Sequence, residues 1–222
     1  MGSGSWGTAL VKILLESADM HVDWWVRSPE MAERINSEGR NPKYLRSVKL
    51  DTTRLTASSD VSKLVADNDT ILLVTPSAFV SDILDQVTNE QLAGKKIISA
   101  IKGVEPNSLK VVGEYLIEHK GVNESDFGVV TGPCHAEEVA QEKLSYLTFA
   151  STNSVFCEKM CAALDCGYIK VTPSADIYGT EISAVLKNVY AIAAGMCHSI
   201  GYGDNFQAVL VSNAIREIKR FI

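Results

Sequence analysis

The chain has 222 residues, 46% of them hydrophobic, and a formal net charge of −6. That length and apolar content suffice for one sizeable core, or one core and part of another, while the acidic balance argues against a nucleic-acid-binding surface. No apolar run reaches the roughly 20 residues of a membrane-spanning helix, no signal-peptide pattern opens the chain, and five cysteines, an odd number, fit a reducing compartment better than a disulfide framework.

The first residues read MGSGSWGTAL. Gly2, Gly4 and Gly7 form G-x-G-x-x-G, a loop that follows a strand in dinucleotide-binding folds and seats a pyrophosphate at a helix N-terminus. Only Met1 precedes it, so Met1 reads as the last residue of a first strand whose earlier part is not present. Residues 8–17 place Ala9, Leu10, Ile13 and Leu14 on one helical face, and residues 21–26 place Val22, Trp24 and Val26 on one side of a strand. Arg27 ends that strand, about twenty residues past Gly7, where an acidic residue would meet the ribose 2′-hydroxyl of NAD. An arginine there, followed by Ser28, suits a 2′-phosphate or stacks on adenine, so NADP is expected to be accepted at least as well as NAD. Ser28-Pro29 supplies an N-cap and a first-turn proline for a helix towards Ile35. A polar connection over residues 40–53, containing Asn41-Pro42, leads to a short strand at 55–57.

Residues 69–74 form an apolar run of strand length, buried on both faces by its composition. Pro76-Ser77 ends it and caps a helix through Val87, and a second such strand over 96–101 stops at Lys102-Gly103. A helix over 108–119 leads to a strand at 127–130, and strands at 146–150 and 168–172 bracket a helix at 155–164. Beyond Ile177 two long helical patterns follow, broken near 201–204, and the last of them runs to Ile222 with no stop signal. The alternation predicts an α/β fold, a doubly wound Rossmann-type parallel sheet followed by an incomplete all-helical second domain. The dinucleotide-binding domain is expected over 1–172, and the start of a helical substrate and catalytic domain over 173–222.

Lys187 is the one charge in AVLKNVYAIAAGM and shares its helical face with Ser183, Ala184, Tyr190, Ala191 and Ala194. Burying an ammonium among small side chains is costly unless it is paired or its pKa falls; the alternative is a rim lysine reaching water. Lys102 stands at the carboxyl end of a predicted strand, where open α/β sheets bind ligands, or is an ordinary surface lysine before a glycine turn. Cys134-His135 invites a nucleophile reading, but on a helix opening after Pro133 the two side chains diverge by about 100°. The turn over 132–136 instead offers backbone N–H groups to a ligand. Cys157, Cys161 and Cys166 are close enough to suggest a metal, yet they lack C-x-x-C spacing and a histidine, and core packing is the plainer reading.

With these residues in hand, the chain resembles the bacterial-type NAD(P)-dependent glycerol-3-phosphate dehydrogenases. The matching stretches are GSGSWGTAL, VDWWVR, ILLVTPS, IKGVE, TGPCHAEEVA, AVLKNVYAIAAG and GYGDN, in the family's order along essentially the whole chain. The resemblance implies reduction of dihydroxyacetone phosphate by NAD(P)H to sn-glycerol 3-phosphate for glycerophospholipid synthesis, in the cytoplasm, by a homodimer that neither binds nucleic acid nor inserts stably in membranes. It implies that Gly2, Gly4, Ser5, Trp6, Gly7, Arg27, Lys102 and Ala136 hold the cofactor. Lys102, Gly132, Cys134, Lys187 and Asn188 would line the substrate, with Lys187 as proton donor and acceptor and Lys102 as a second catalytic cation. Cys134 stands where the family often has serine, and Phe206-Gln207-Ala208 replaces the usual Arg-Ala after GDN. The family's later Ser-Arg-Asn segment and the Asp upstream of it are missing, so the chain reads as an internal piece, expected to be unstable or inactive alone. Two other readings stay open: a lysine-dependent dehydrogenase of hydroxy or sugar acids, and a non-catalytic nucleotide-binding module, against which the pair Lys102 and Lys187 speaks.

Overall fold

Two groups of strands carry the dinucleotide end of the computed structural model, which describes residues 1–17 and 19–222. β1 (Val22–Trp25) pairs in parallel with β2 (Leu55–Ser58). A five-stranded sheet follows in the order β3 (Thr70–Leu73), β4 (Lys96–Ser99), β5 (Phe127–Thr131), β6 (Ser145–Ala150) and β7 (Ile169–Ser174). Met1 and Gly2 occupy the gap between the two groups. The Met1 ammonium donates to the Leu72 carbonyl at 2.5 Å, the Val74 N–H donates to the Met1 carbonyl at 2.8 Å, and the Gly2 N–H donates to the Trp25 carbonyl at 3.3 Å. The glycine loop therefore begins where a strand between β1 and β3 would end.

Of the two apolar runs read as doubly buried strands, 96–101 is so, while in 69–74 Ile71 and Leu73 are buried and Leu72 and Val74 only partly. Ile97 and Val129 join one core with Leu73, Leu116 and Phe127, while their neighbours Ile98 and Val130 join another with Leu10, Phe149 and Leu164. Successive side chains of a strand point to opposite faces, so both faces of this sheet are covered. α1 (Ser5–Glu16) supplies Ala9, Leu10 and Ile13 to the second core, all fully buried. A third core lies under β1 and β2, where Trp24 and Val26 meet Ile35 of α2 (Pro29–Glu38). α2 starts as its sequence predicts, with Ser28 Oγ accepting from the Met31 N–H, and stops at Gly39, whose φ of +65° suits a glycine cap. Three short helices, α3 (Val61–Asp67), α4 (Val80–Leu84) and α5 (Asn89–Leu92), complete the connections around β3.

Three expectations change. The helix expected to open at Pro76-Ser77 and run through Val87 is a 3₁₀ turn (Ser77–Phe79) followed by α4, which ends at Leu84. The sheet is parallel except between β5 and β6, which run antiparallel. The connection there holds only α7 (Ala136–Ala140), five residues, too short a helix to pack across the sheet as a parallel crossover does. The chain therefore re-enters the sheet from the end at which it left. The helix expected from residue 108 begins instead at Val112, as α6 (Val112–Lys120). Upstream, the buried Glu105 carboxylate accepts from the N–H groups of Asn107 and Ser108 and from Ser108 Oγ, and Val104 bridges to Val111. These local bonds compete with a helical turn.

After α8 (Ser154–Leu164) and β7, α9 (Ile177–Ser199) and α10 (Asp204–Phe221) close the chain. α9 buries Ile177, Gly179, Glu181 and Ala184, all near its start, and α10 buries only Ala214. Among the described residues no helix is long and apolar enough to cross a membrane.

Candidate active site

The glycine loop is shaped by backbone contacts that a side chain would break. Gly2 has a φ of +119°, and a Cβ there would lie 2.8 Å from the Val74 carbonyl. A Cβ on Gly7 would collide with the Gly2 carbonyl oxygen, whereas one on Gly4 would meet open space. Gly4 is the N-cap of α1 and no side chain caps it, which leaves first-turn N–H groups free for an anion. The loop is fastened from two sides. Trp24 Nε1 donates to the Gly2 carbonyl at 2.8 Å. Asn41, fully buried, donates to the Ser3 carbonyl at 3.0 Å and to Thr8 Oγ1 at 2.8 Å, while its own oxygen accepts from the N–H groups of Lys43 and Tyr44. Nothing in the sequence around Asn41 beyond a polar connection signals this role.

Beside the loop lies a cleft of about 940 Å³. All eight residues expected at the cofactor line it: Gly2, Gly4, Ser5, Trp6, Gly7, Arg27, Lys102 and Ala136. Its other wall comes from Thr75, Pro76 and the half-exposed Phe79, which the sequence reading did not single out. Trp6 Nε1 is buried and, among the described residues, has no acceptor. An unpaired indole N–H at a cleft wall is a donor waiting for a bound acceptor.

Lys102 stands at the junction of this cleft and a second cavity of about 490 Å³. Its half-buried Nζ donates to the Gly132 carbonyl at 3.3 Å and sits 5.9 Å from the centre of the Trp6 ring. Burial first, and then the neighbouring Lys187 ammonium, hold its pKa below the ordinary lysine value. Thr131, Gly132, Asp176, Lys187 and Ile215 also line the smaller cavity. A Cβ on Gly132 would run into the Tyr146 carbonyl oxygen. Cys134 lines the larger cleft, and its Sγ donates to that same carbonyl at 3.1 Å rather than to His135. Burial pushes the thiol pKa up, the wrong direction for a nucleophile. His135 is the N-cap of α7, so a helix starts at this turn, as expected.

Of the two readings left open for Lys187, the structure takes the rim position. Of the residues sharing its face, Ala184 is buried, Ser183, Tyr190 and Ala194 are partly covered and Ala191 is open, while the Lys187 side chain itself is exposed rather than embedded. The reason is that α9 packs against the sheet only through its first two turns. The amine still reaches the cavity it shares with Lys102. Asn188, next to it, is exposed and lines neither cavity. Cys157 packs in the core with its Sγ towards the Phe149 carbonyl, and Cys161 and Cys166 pack against the same core.

The fold and cleft together define a Rossmann-type protein with a lysine-bearing helix set against its sheet. Residues 1–157 match the family described as NAD-dependent glycerol-3-phosphate dehydrogenase N-terminus, and residues 176–222 match its C-terminus. The chain belongs to that family. It is 36% identical over 221 residues to the glycerol-3-phosphate dehydrogenase [NAD(P)+] of Ectopseudomonas mendocina, covering 100% of this chain and 64% of the relative. The enzyme of the same name from Azotobacter vinelandii is 35% identical over 221 residues, with the same coverage of both chains. Among solved structures, glycerol-3-phosphate dehydrogenase from Coxiella burnetii superposes with a TM-score of 0.87 at 28% identity, over 99% of this chain and 66% of that one. The chain thus spans about 64% of the length of the curated relatives it matches.

Proposed function

We propose that the protein reduces dihydroxyacetone phosphate to sn-glycerol 3-phosphate with NAD(P)H, reversibly, as a step towards glycerophospholipids. The observation that carries this reading is the position of Lys102, which borders the dinucleotide cleft and the smaller cavity at once and faces Lys187 across the latter. The cradle fits a dinucleotide: a loop closed to any side chain at Gly2 and Gly7, uncapped α1 amides, and the unpaired Trp6 N–H. Gly2, Gly4, Ser5, Trp6 and Gly7 would hold the pyrophosphate region, Arg27 with Ser28 the adenosine end, and Lys102 with Ala136 the nicotinamide end.

When bound, the reduced nicotinamide supplies the hydride. Lys187 donates a proton to the ketone oxygen as negative charge develops there, and takes it back in the reverse direction. Lys102, a second cation at the same cavity, stabilises that charge. Gly132 and Cys134 form the wall on the substrate side; Asn188 enters this reading through the family pattern alone. The chain divides into a dinucleotide-binding unit over 1–172 and the start of a helical unit over 173–222. The same reading carries a cytoplasmic homodimer, and the free state of all five cysteines supports a reducing compartment. Light scattering tests the dimer.

The assay is loss of NAD(P)H absorbance on adding dihydroxyacetone phosphate to the intact protein. Turnover with this ketone, and not with 2-keto acids, is expected. Tight NADPH binding with no oxidation by any ketone would overturn the reaction and leave a nucleotide-binding module.

A further inference from the structure

Glu181 lies outside both cavities, yet it is 3% exposed and sits six residues before Lys187 on α9. Both of its carboxylate oxygens accept from one backbone donor, the N–H of Gly113, at 3.2 and 3.1 Å. Gly113 is in the first turn of α6, whose N-cap Val111 provides no side-chain acceptor. An orphan amide at one helix start is therefore satisfied by a side chain from another helix. There is no room for anything else: a Cβ on Gly113 would lie 2.6 Å from Glu181 Oε2 and 2.6 Å from the Phe127 ring.

The location of this bond matters more than its strength. α9 buries nothing beyond Ala184. Its later side-chain bonds, Tyr190 Oη to Glu217 and Gln207 Nε2 to the Ala194 carbonyl, reach only α10. Among the described residues, Glu181 to Gly113 is the one side-chain hydrogen bond from α9 to the sheet unit. Lys187 stands about 9 Å further along the helix axis, so a shift at Glu181 is carried to its amine.

We propose that Glu181 is a positioning residue, tying α9 to the start of α6 so that Lys187 stands beside Lys102. The inference rests on the reading of Lys187 as the proton donor, and it is tested apart from that reading. The charged group that acts on the tie is Glu114 on α6, and Tyr178, the titratable neighbour on α9 itself, faces Glu124 and Glu118 as well as these two carboxylates. β5 contributes the Phe127 ring, neither β5 nor β6 carries a charged residue, and Glu217 of α10 meets α9 only at Tyr190. No cation accompanies Glu181. Burial outweighs the Gly113 amide and, with Glu114, pushes the carboxyl up to about 8.

The test reads the distance between the two lysines through charge. Because Lys187 helps to depress the Lys102 pKa, Lys102 reports whether Lys187 is in place. In protein carrying ¹³Cε-lysine, the Lys102 titration is followed by NMR in wild type, Lys187→Met, Glu181→Met and Glu181→Gln. Methionine fills the volume of Glu181 without an acceptor, relieving the burial of the acid while leaving the Gly113 N–H unpaired. Glu181→Met is expected to fold and to raise the Lys102 titration towards ordinary lysine, as Lys187→Met does; Glu181→Gln, which keeps an acceptor, leaves it unchanged. In the ketone assay Glu181→Met should lose up to about 100-fold in kcat, the effect of a misplaced catalytic group, with the KM for NAD(P)H unchanged. Identical Lys102 titration in wild type and Glu181→Met overturns the proposal. Absence of ketone reduction in wild type would sink the reaction and leave the titration to judge the tie.

Discussion

The two ends of the molecule hold their functional residues by different means. Around the glycine loop, each turn of backbone is fixed more than once: by Trp24, by Asn41, by the close approach of Val74, and by cores on both faces of the sheet. The helical end holds Lys187 from one side, through the first two turns of α9, while Val189, Ile192 and Met196 beyond it are at least 60% exposed. In the proposed reading the sheet end binds the cofactor and α9 carries the reacting amine; α9 is held in this chain through its first two turns, and the chain spans about 64% of its relatives' length. Substitutions should therefore separate binding from chemistry, and stability should be lost mainly at the sheet end.

The largest expected effect tests the reactive half. Lys187→Met removes the proposed proton donor, and kcat should fall about 10²- to 10⁴-fold, the usual contribution of general acid catalysis. The dissociation constant for NADPH should stay within about twofold, because the loop and cleft are untouched. Equal losses in kcat and NADPH affinity would mean that the two halves are not separable.

The next effect is in stability against pH and comes from the tie between the halves. Glu181 has its pKa raised from 4.5 to about 8, burial being the main cause. The folded chain thus keeps a proton that the unfolded chain loses as pH passes 4.5. Its contribution to stability is complete below pH 4.5, declines as pH rises, and is gone above about 8. Subtracting the unfolding free energies of Glu181→Gln from those of wild type should give a difference that falls by a few kcal/mol across that window. A flat difference would show that the carboxyl ionises alike in both states.

A smaller effect contrasts the two ends directly. Asn41→Ala leaves Thr8 Oγ1, the Ser3 carbonyl and two N–H groups without their partner, and should cost about 1–3 kcal/mol in denaturant unfolding. Val189→Ser on exposed α9 should stay within about 0.5 kcal/mol of wild type. Similar losses for the two would remove the asymmetry.

Much of the rigid half was legible in the sequence, because its signals are local. The glycine spacing, the Ser28-Pro29 start of α2 and the apolar runs of β3 and β4 each specify their own backbone and burial. What escaped depends on partners distant in the chain. The direction of β6 is set by the length of the connection before it, and the role of Asn41 by carbonyl and hydroxyl groups 38 and 33 residues away. The late start of α6 follows from Glu105 capturing nearby amides, a competition that helical periodicity does not register. The sequence left Lys187 between burial and the rim for a related reason. A small-residue face says what could approach a helix, and only the packing of α9 says what does.

The smallest predicted effect lies at the far end of the cleft and sharpens the rigid half. Arg27 follows β1 and lines the cleft, but it is exposed. A solvent-screened guanidinium contributes modestly even to a doubly charged phosphate, of the order of 1 kcal/mol. Arg27→Ala should accordingly weaken NADPH about fivefold to tenfold while changing NADH less than twofold, both read by fluorescence titration. The effect should shrink as salt is raised, since screening acts on exposed pairs first. A variant that loses both cofactors equally would assign Arg27 to adenine stacking, and one that loses neither would leave Ser28 and the backbone after β1 to hold the adenosine end alone.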